Sequence, residues 1–369
     1  MKRLAVLACA SALAFVMATT ATALAHETPP MYQQIALIPV SGLNSFDISF
    51  VERSSQTYYL ADRSNKGVDF FDAATNTFET RVTGFVGPST SNDTAGPNGI
   101  VVLPDRHELW AGDGDSTVKV IDLGSRTIVA TIPTGGENRA DELAYDRRDK
   151  ILLVANDAEK VPFVSFIDTR TRMVVGTVKF PDATNGLEQP VWDPATRLFY
   201  LSVPQLGDDP RNGGIAVLDP RARSLVHTFP VTDCEPAGLA LGPKQHLLLG
   251  CSGDGITGWQ AQVQVMNARN GHIVKVITQV GGADQVWFNP GDKHYYVAAR
   301  RNPGGPVLGI IDARNNTWLQ NVPTGPNSHS VAADPINNHI FVPLRGKGIG
   351  VYARIDEDAA DNDEHDDGD

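Results

Sequence analysis

A strand-like stretch ending in an acid or amide recurs along this chain: GVDFFD to Asp72, TVKVID to Asp122, FVSFID to Asp168, GIAVLD to Asp219, VQVMN to Asn267 and VLGIID to Asp312. The intervals are 50, 46, 51, 48 and 45 residues, and a seventh stretch, GIGVYA at 348–353, lacks the terminal Asp. Such a period constrains the fold more than any other feature, because each unit must be one small module that buries its faces against copies of itself. Each stretch is preceded by a hairpin and followed by a turn and another strand, as in DLGSRTIVATIPTGG and DTRTRMVVGTVKF. Four short strands per unit, joined by Gly, Pro and Asn turns, make the blade of a β-propeller, and seven units predict an all-β, seven-bladed ring.

The last unit stops after GIGVYA, while QQIALIPV at 33–40 is a lone strand with no hairpin before it. The N-terminal strand is therefore expected to complete the last blade and close the ring. Closure leaves no open sheet edge, so 33–353 is expected to be one cooperative domain and the chain a monomer. Residues 26–32 would be an N-terminal extension and 354–369 a disordered acidic tail.

Units such as AGDGDSTVKVIDLGSRTIVATIPTGG and PAGLALGPKQHLLLGCSGDG resemble the YVTN-type repeats of YncE-like periplasmic seven-bladed propellers, over essentially all of 33–353. The resemblance implies the fold. It implies little about function, since propellers host hydrolases, lyases, redox enzymes and binding platforms.

The first residues carry Lys2 and Arg3, an apolar run from Leu4 to Met17 and the small-residue site Ala23-Leu24-Ala25. This is the pattern of a secretory signal peptide (1–25), with cleavage after Ala25, a mature start at His26 and a periplasmic or secreted destination. Cys9 lies inside the apolar run with no lipobox after it, and no later stretch is long and apolar enough to insert in a bilayer. In an oxidising compartment the remaining pair, Cys234 and Cys251, reads as a disulfide.

The formal net charge is −12, and residues 356–369 hold nine Asp or Glu with no Lys or Arg, so most of the acidity belongs to the tail. That block cannot bury surface; its expected roles are solubility and loose cation binding, with His365 assisting. The body has no basic patch, which argues against nucleic acid. There is no Cys-x-x-Cys-His for covalent haem and no Walker sequence for a nucleotide. There is likewise no Gly-x-Ser-x-Gly elbow and no His-Glu-x-x-His. His26 could hold Cu²⁺ through its amine and ring.

Aligning the innermost strands on their shared turn puts Asp47, Asn98, Asp141, Glu188, Asp284 and His329 in one slot, at separations of 51, 43, 47, 96 (two blades) and 45. In the fifth blade Ala237 takes the slot, with Glu235 two residues earlier. Innermost strands surround the central channel, so these residues should converge at one mouth. Carboxylates facing one another repel, which raises their pKa values or recruits a cation. The seven polar residues are therefore candidate ligands of a divalent cation, with Ca²⁺ or Mg²⁺ favoured by hard oxygen donors. His329 also admits a transition metal, and His329 and Asp141 are the candidate catalytic groups. The bland reading is a wet funnel lined by polar residues.

EQPVW at 188–192 and PNG at 97–99 resemble the Glu-x-Pro-x-Trp and Asn-Gly segments of the gluconolactonase and regucalcin-like family. That resemblance implies Glu188 and Asn98 as ligands of a divalent ion, Asp47 or Asp141 as third ligand or base, and lactone hydrolysis as the activity. The family has six blades, and its Glu precedes its Asn, whereas here Asn98 comes first.

Behind the ring, the loops after the next strands carry Asp62 and Arg63, Asp113 and Asp115, Asn156 and Asp157, Asp254, and finally Arg300, Arg301 and Arg345. GDGD at 112–115 is no EF-hand, because position twelve of such a loop would be Gly124. Arg300 and Arg345, with Gln189 and Gln285 directly after Glu188 and Asp284, are candidate ligand-binding groups for a small polar molecule; the alternative for the arginines is pairing with the nearby acids. Trp110, Trp192 and Trp287 are expected to pack between blades. Three functions remain open: binding at the channel mouth, metal-dependent hydrolysis from the same ring, and a protein-interaction scaffold using blade edges.

Overall fold

The recurring acid or amide caps a turn. In a computed structural model that describes residues 31–253 and 259–355, Asp72, Asp122, Asp168, Asp219, Asn267 and Asp312 each accept backbone N–H bonds at Oδ1 two or three residues on. Such Asx turns deliver the chain into the outermost strand. One residue before each of these six caps the ladder to the outermost strand slips, for example between Phe70 and Phe71 and between Val120 and Ile121. A bulge at this place increases the twist of every blade alike. The spacing seen in the sequence thus records a structural device.

The strands form seven four-stranded sheets with nearest-neighbour order. Six are built from consecutive strands and the seventh runs Met31–Pro39, Gly348–Ile355, Ile340–Leu344, Ala332–Ala333 from outside inward. Met31–Pro39 pairs antiparallel with Gly348–Ile355, from Met31 opposite Ile355 to Pro39 opposite Gly348. The ring is a seven-bladed β-propeller closed by its N-terminal strand, and that strand starts two residues earlier than its sequence suggests. Gly348 sits at the seam with φ +133°, and a Cβ there would lie 2.0 Å from the Ile38 carbonyl oxygen.

The core lies between blades. Leu153 and Phe166 of the third blade pack with Leu201 and Ala216 of the fourth. Tyr58, Leu60 and Phe71 of the first meet Phe341, Ile349 and Val351 of the seventh, Tyr58 stacking on Phe341 at 4.8 Å. Strands apolar on both faces, such as TYYLAD and ILLVAN, therefore occupy the middle of blades, where both sides are covered.

Cys234 and Cys251 are disulfide-bonded, their Cα atoms 4.5 Å apart at one end of the fifth blade's inner hairpin. No helix among the described residues is long and apolar enough to cross a membrane. The expected signal peptide with Cys9, the residue His26, Asp254 and the acidic tail 356–369 with His365 lie outside the described residues.

Candidate functional site

One hydrogen bond fixes the ring. The N–H groups of Asp47, Asn98, Asp141, Glu188 and Asp284 donate to the carbonyls of Ala61, Gly112, Ala155, Ser202 and Ala298 on the neighbouring strand, all at 2.8–3.0 Å. A second set ties ring positions across blades: Gly99 N–H to Asp141 O, Gln189 N–H to Ala237 O, and Gln285 N–H to His329 O. Ala237 and His329 therefore hold the slot in the fifth and seventh blades. The blades approach so closely here that a Cβ on Gly238 would lie 2.1 Å from the Asp284 carbonyl oxygen.

Asp47, Asp141, Glu188, Asp284 and His329 converge on a cavity of about 310 Å³ at the channel mouth, with Arg63, Arg139, Arg300 and Glu142 in its wall. Asn98 is fully buried behind it. Glu235 does not line this cavity; it accepts a hydrogen bond from Asn185 Nδ2 at 2.7 Å. Arg345 is exposed and outside the lining. Gln189 and Gln285 turn their amides into the blade seams: Gln189 Oε1 accepts from the Leu239 N–H, while Gln285 Oε1 accepts from the Val331 N–H and Ser330 Oγ and its Nε2 donates to Ser49 O.

Most acids of the mouth have a cation of their own. Arg63 pairs with Asp47 and also donates from Nε and Nη2 to Asn98 Oδ1, at 3.0 and 2.6 Å. Arg139 bridges Asp141 at 2.9 Å and Asp157 at 2.5 Å, and Arg300 holds Asp284 at 2.9 Å. His329 stacks on Phe46, places Nδ1 2.8 Å from the Asn327 carbonyl oxygen and lies with Nε2 3.4 Å from Asp47. Burial pushes the Asp47 carboxyl up, but Arg63 and His329 outweigh it and hold it at about 2.

Glu142 and Glu188 differ. Among the described residues neither side chain makes a hydrogen bond or ion pair. Burial first, then Asp141 and Glu188, push Glu142 well above its ordinary range; burial first, then Asp284 and Asp141, do the same to Glu188. Asp141 is also pushed up, by burial, in spite of Arg139. The mouth is thus an acid–arginine network with two uncompensated carboxyl groups. No group of three or more His, Cys, Asp or Glu among the described residues is arranged to hold a metal ion.

The outer acids serve the blades. Asp62 and Asp69 share Arg81, Asp113 pairs with Lys119, and Asn156 Nδ2 donates to Ser165 Oγ. Two charged mouth residues escaped the sequence reading. Glu142 directly follows its ring position, as Gln189 and Gln285 do, and that register would have found it. Arg139 stands two residues before its ring position, where no other unit has a basic residue, so the repeat pattern does not point to it. Trp110 is fully buried between blades, whereas Trp192 and Trp287 line the channel as well as packing.

The sequence matches no protein-family model and no curated protein. Among solved structures, hydrazine synthase of Kuenenia stuttgartiensis superposes with a TM-score of 0.69 at 16% identity, covering 87% of this chain and 98% of that one. A chain of a mitotic checkpoint complex superposes with a TM-score of 0.63, also at 16% identity, covering 94% and 99%. At such identity the likeness shows the fold this chain shares with them, a β-propeller, and nothing of its chemistry.

Proposed function

We propose that this chain is an exported, seven-bladed propeller that binds a small cationic ligand at its channel mouth, with no catalytic step assigned. The observation that carries this is the pair Glu142, buried, and Glu188, half-buried, two carboxyl groups with no hydrogen bond or ion pair among the described residues, beside arginines already committed to other acids. A cation entering the mouth would take the place of the protons that these two groups retain and pair with the carboxylates. The ligand is a divalent ion or a small organic cation. Engagement of Asp47, Asp141 and Asp284 by arginines favours the organic cation, because a metal would have to displace those pairs to reach its usual number of oxygen ligands. Export rests on the N-terminal sequence pattern together with the Cys234–Cys251 bond.

A lactonase-type metal centre would need Glu188, Asn98 and Asp47 or Asp141 as joint ligands. Asn98 Oδ1 already accepts two bonds from Arg63, so these residues do not fit that role as they stand. Seven blades agree with the YVTN-repeat resemblance and not with the six-bladed lactonase pattern. The scaffold reading draws on one observation: Ile273, Val274 and Val276 are exposed on the fifth blade's outermost strand. Concentration-dependent sedimentation that Val274→Lys abolishes would favour it.

The test is thermal stability against concentration of Ca²⁺, Mg²⁺ and methylammonium, on the full chain and on a chain ending at Arg354, which removes the tail carboxylates. Binding linkage requires a melting temperature that keeps rising with ligand concentration. Glu188→Gln should lose most of that rise. Melting that ignores every cation leaves a solvated funnel.

A further inference from the structure

Beyond the mouth the channel changes character. A second cavity of about 400 Å³ occupies its other half, walled by Phe50, Val101, Tyr145, Trp192, Trp287 and Phe288. Glu142 and Ile48 line both cavities and so stand at the neck between them. Phe50 meets Trp287 edge to face at 5.4 Å, and Trp192 packs on Phe199 at 4.8 Å, which holds the aromatic walls in place. Trp287 Nε1 is buried with no hydrogen-bond partner.

These features ask for a ligand of mixed character. Glu142 is only 5% exposed, yet no base is bonded to it. A buried carboxylate without a partner is costly, so the group keeps its proton until a bound cation takes the proton's place. Aromatic walls favour a flat or branched apolar body and stabilise an adjacent cation through their faces. A few polar groups in a mainly apolar cavity of a few hundred Å³ is the common form of a small-molecule site.

We propose that the channel binds an amphipathic organic amine, its ammonium group between Glu142 and Glu188 and its aromatic or branched apolar body in the half walled by Trp192 and Trp287. This rests on the cationic reading of the mouth and extends it by naming the other half of the ligand. Gln189 and Gln285 belong to the blade seams, so the specificity lies with Glu142 and the aromatic residues.

The full chain is titrated by calorimetry and tryptophan fluorescence with three probes: 2-phenylethylamine, its uncharged counterpart 2-phenylethanol, and methylammonium. The expected order places 2-phenylethylamine at least about ten-fold tighter than either of the others, since a hydrogen bond to a charged group and the buried ring each add to affinity. Glu142→Gln should lose that advantage over 2-phenylethanol, with Glu142→Asp retaining part of it. Trp287→Leu should weaken 2-phenylethylamine and leave methylammonium unchanged. Melting curves of each variant separate lost binding from lost folding. If methylammonium binds as tightly as 2-phenylethylamine, the mouth reading survives and the amphipathic ligand is overturned. If 2-phenylethanol equals the amine, or if neither cation binds, the amphipathic amine is overturned, while the mouth reading stands or falls separately with the melting response to Ca²⁺, Mg²⁺ and methylammonium.

Discussion

Glu142 and Glu188 make stability depend on pH with a definite sign. Both hold their protons above the ordinary 4.5 in the folded chain, so between that value and neutrality the folded state binds more protons than the unfolded one. Stability from these groups is present at mildly acid pH and is lost as pH rises. Asp141 adds in the same direction, as does Asp69, which burial and then Asp62 push up to about 7 against the pull of Arg81. Asp47, held at about 2, acts oppositely: its contribution is present above its unfolded pKa and is lost as pH falls towards 2. The urea midpoint should therefore fall from about pH 5 to about pH 8. Glu142→Gln and Glu188→Gln should each flatten that slope, and Asp69→Asn should remove its part near neutrality. A slope unchanged in all three would contradict the burial of these groups. Arg139→Met should cost about 3 kcal/mol or more at neutral pH, because it strands Asp141 and Asp157 together, and lowering the pH should recover part of the loss.

The inner hairpin of the fifth blade lacks a ring carboxylate and is held by other means. Cys234 and Cys251 enclose a stretch with a sequence separation of 17. Closing such a loop is worth about 3 kcal/mol in the chain-entropy model. Replacing both cysteines by Ala should lower the unfolding free energy by about that amount without altering the mouth, which guanidinium titration would measure. In the same hairpin Gly238→Ala should destabilise by about 1–3 kcal/mol, since its Cβ would drive into the Asp284 backbone of the next blade. Equal stability of that variant and the parent would mean that the seam is looser than described.

Ring closure governs the whole molecule. Strand Met31–Pro39 covers the edge of Gly348–Ile355 and puts Ile38 into the cluster shared by the first and seventh blades. Removing that strand should abolish cooperative unfolding and promote edge-to-edge association, whereas removing 356–369 should cost almost nothing. A strand-deleted chain that melts like the parent, followed by far-ultraviolet circular dichroism, would overturn closure as the stabilising device.

The sequence by itself determined the blades, their number, the closing strand, the cysteine pair and the common slot of Asp47, Asn98, Asp141, Glu188 and Asp284. Each of these follows from local chemistry that every unit repeats: turn caps, apolar strands covered on both faces, and hydrogen bonds at fixed register. What each carboxylate faces was left to the tertiary structure, because ring partners are far apart in the chain and meet only across the channel. Arg139 is the one basic residue at a position two before the ring slot, Asn98 turns back to Arg63, and Glu235 falls outside the mouth. The contrast between a charged mouth and an aromatic far half likewise depends on residues from several blades at equal depth. Repetition encodes the frame, and departures from it, brought together by folding, decide the site.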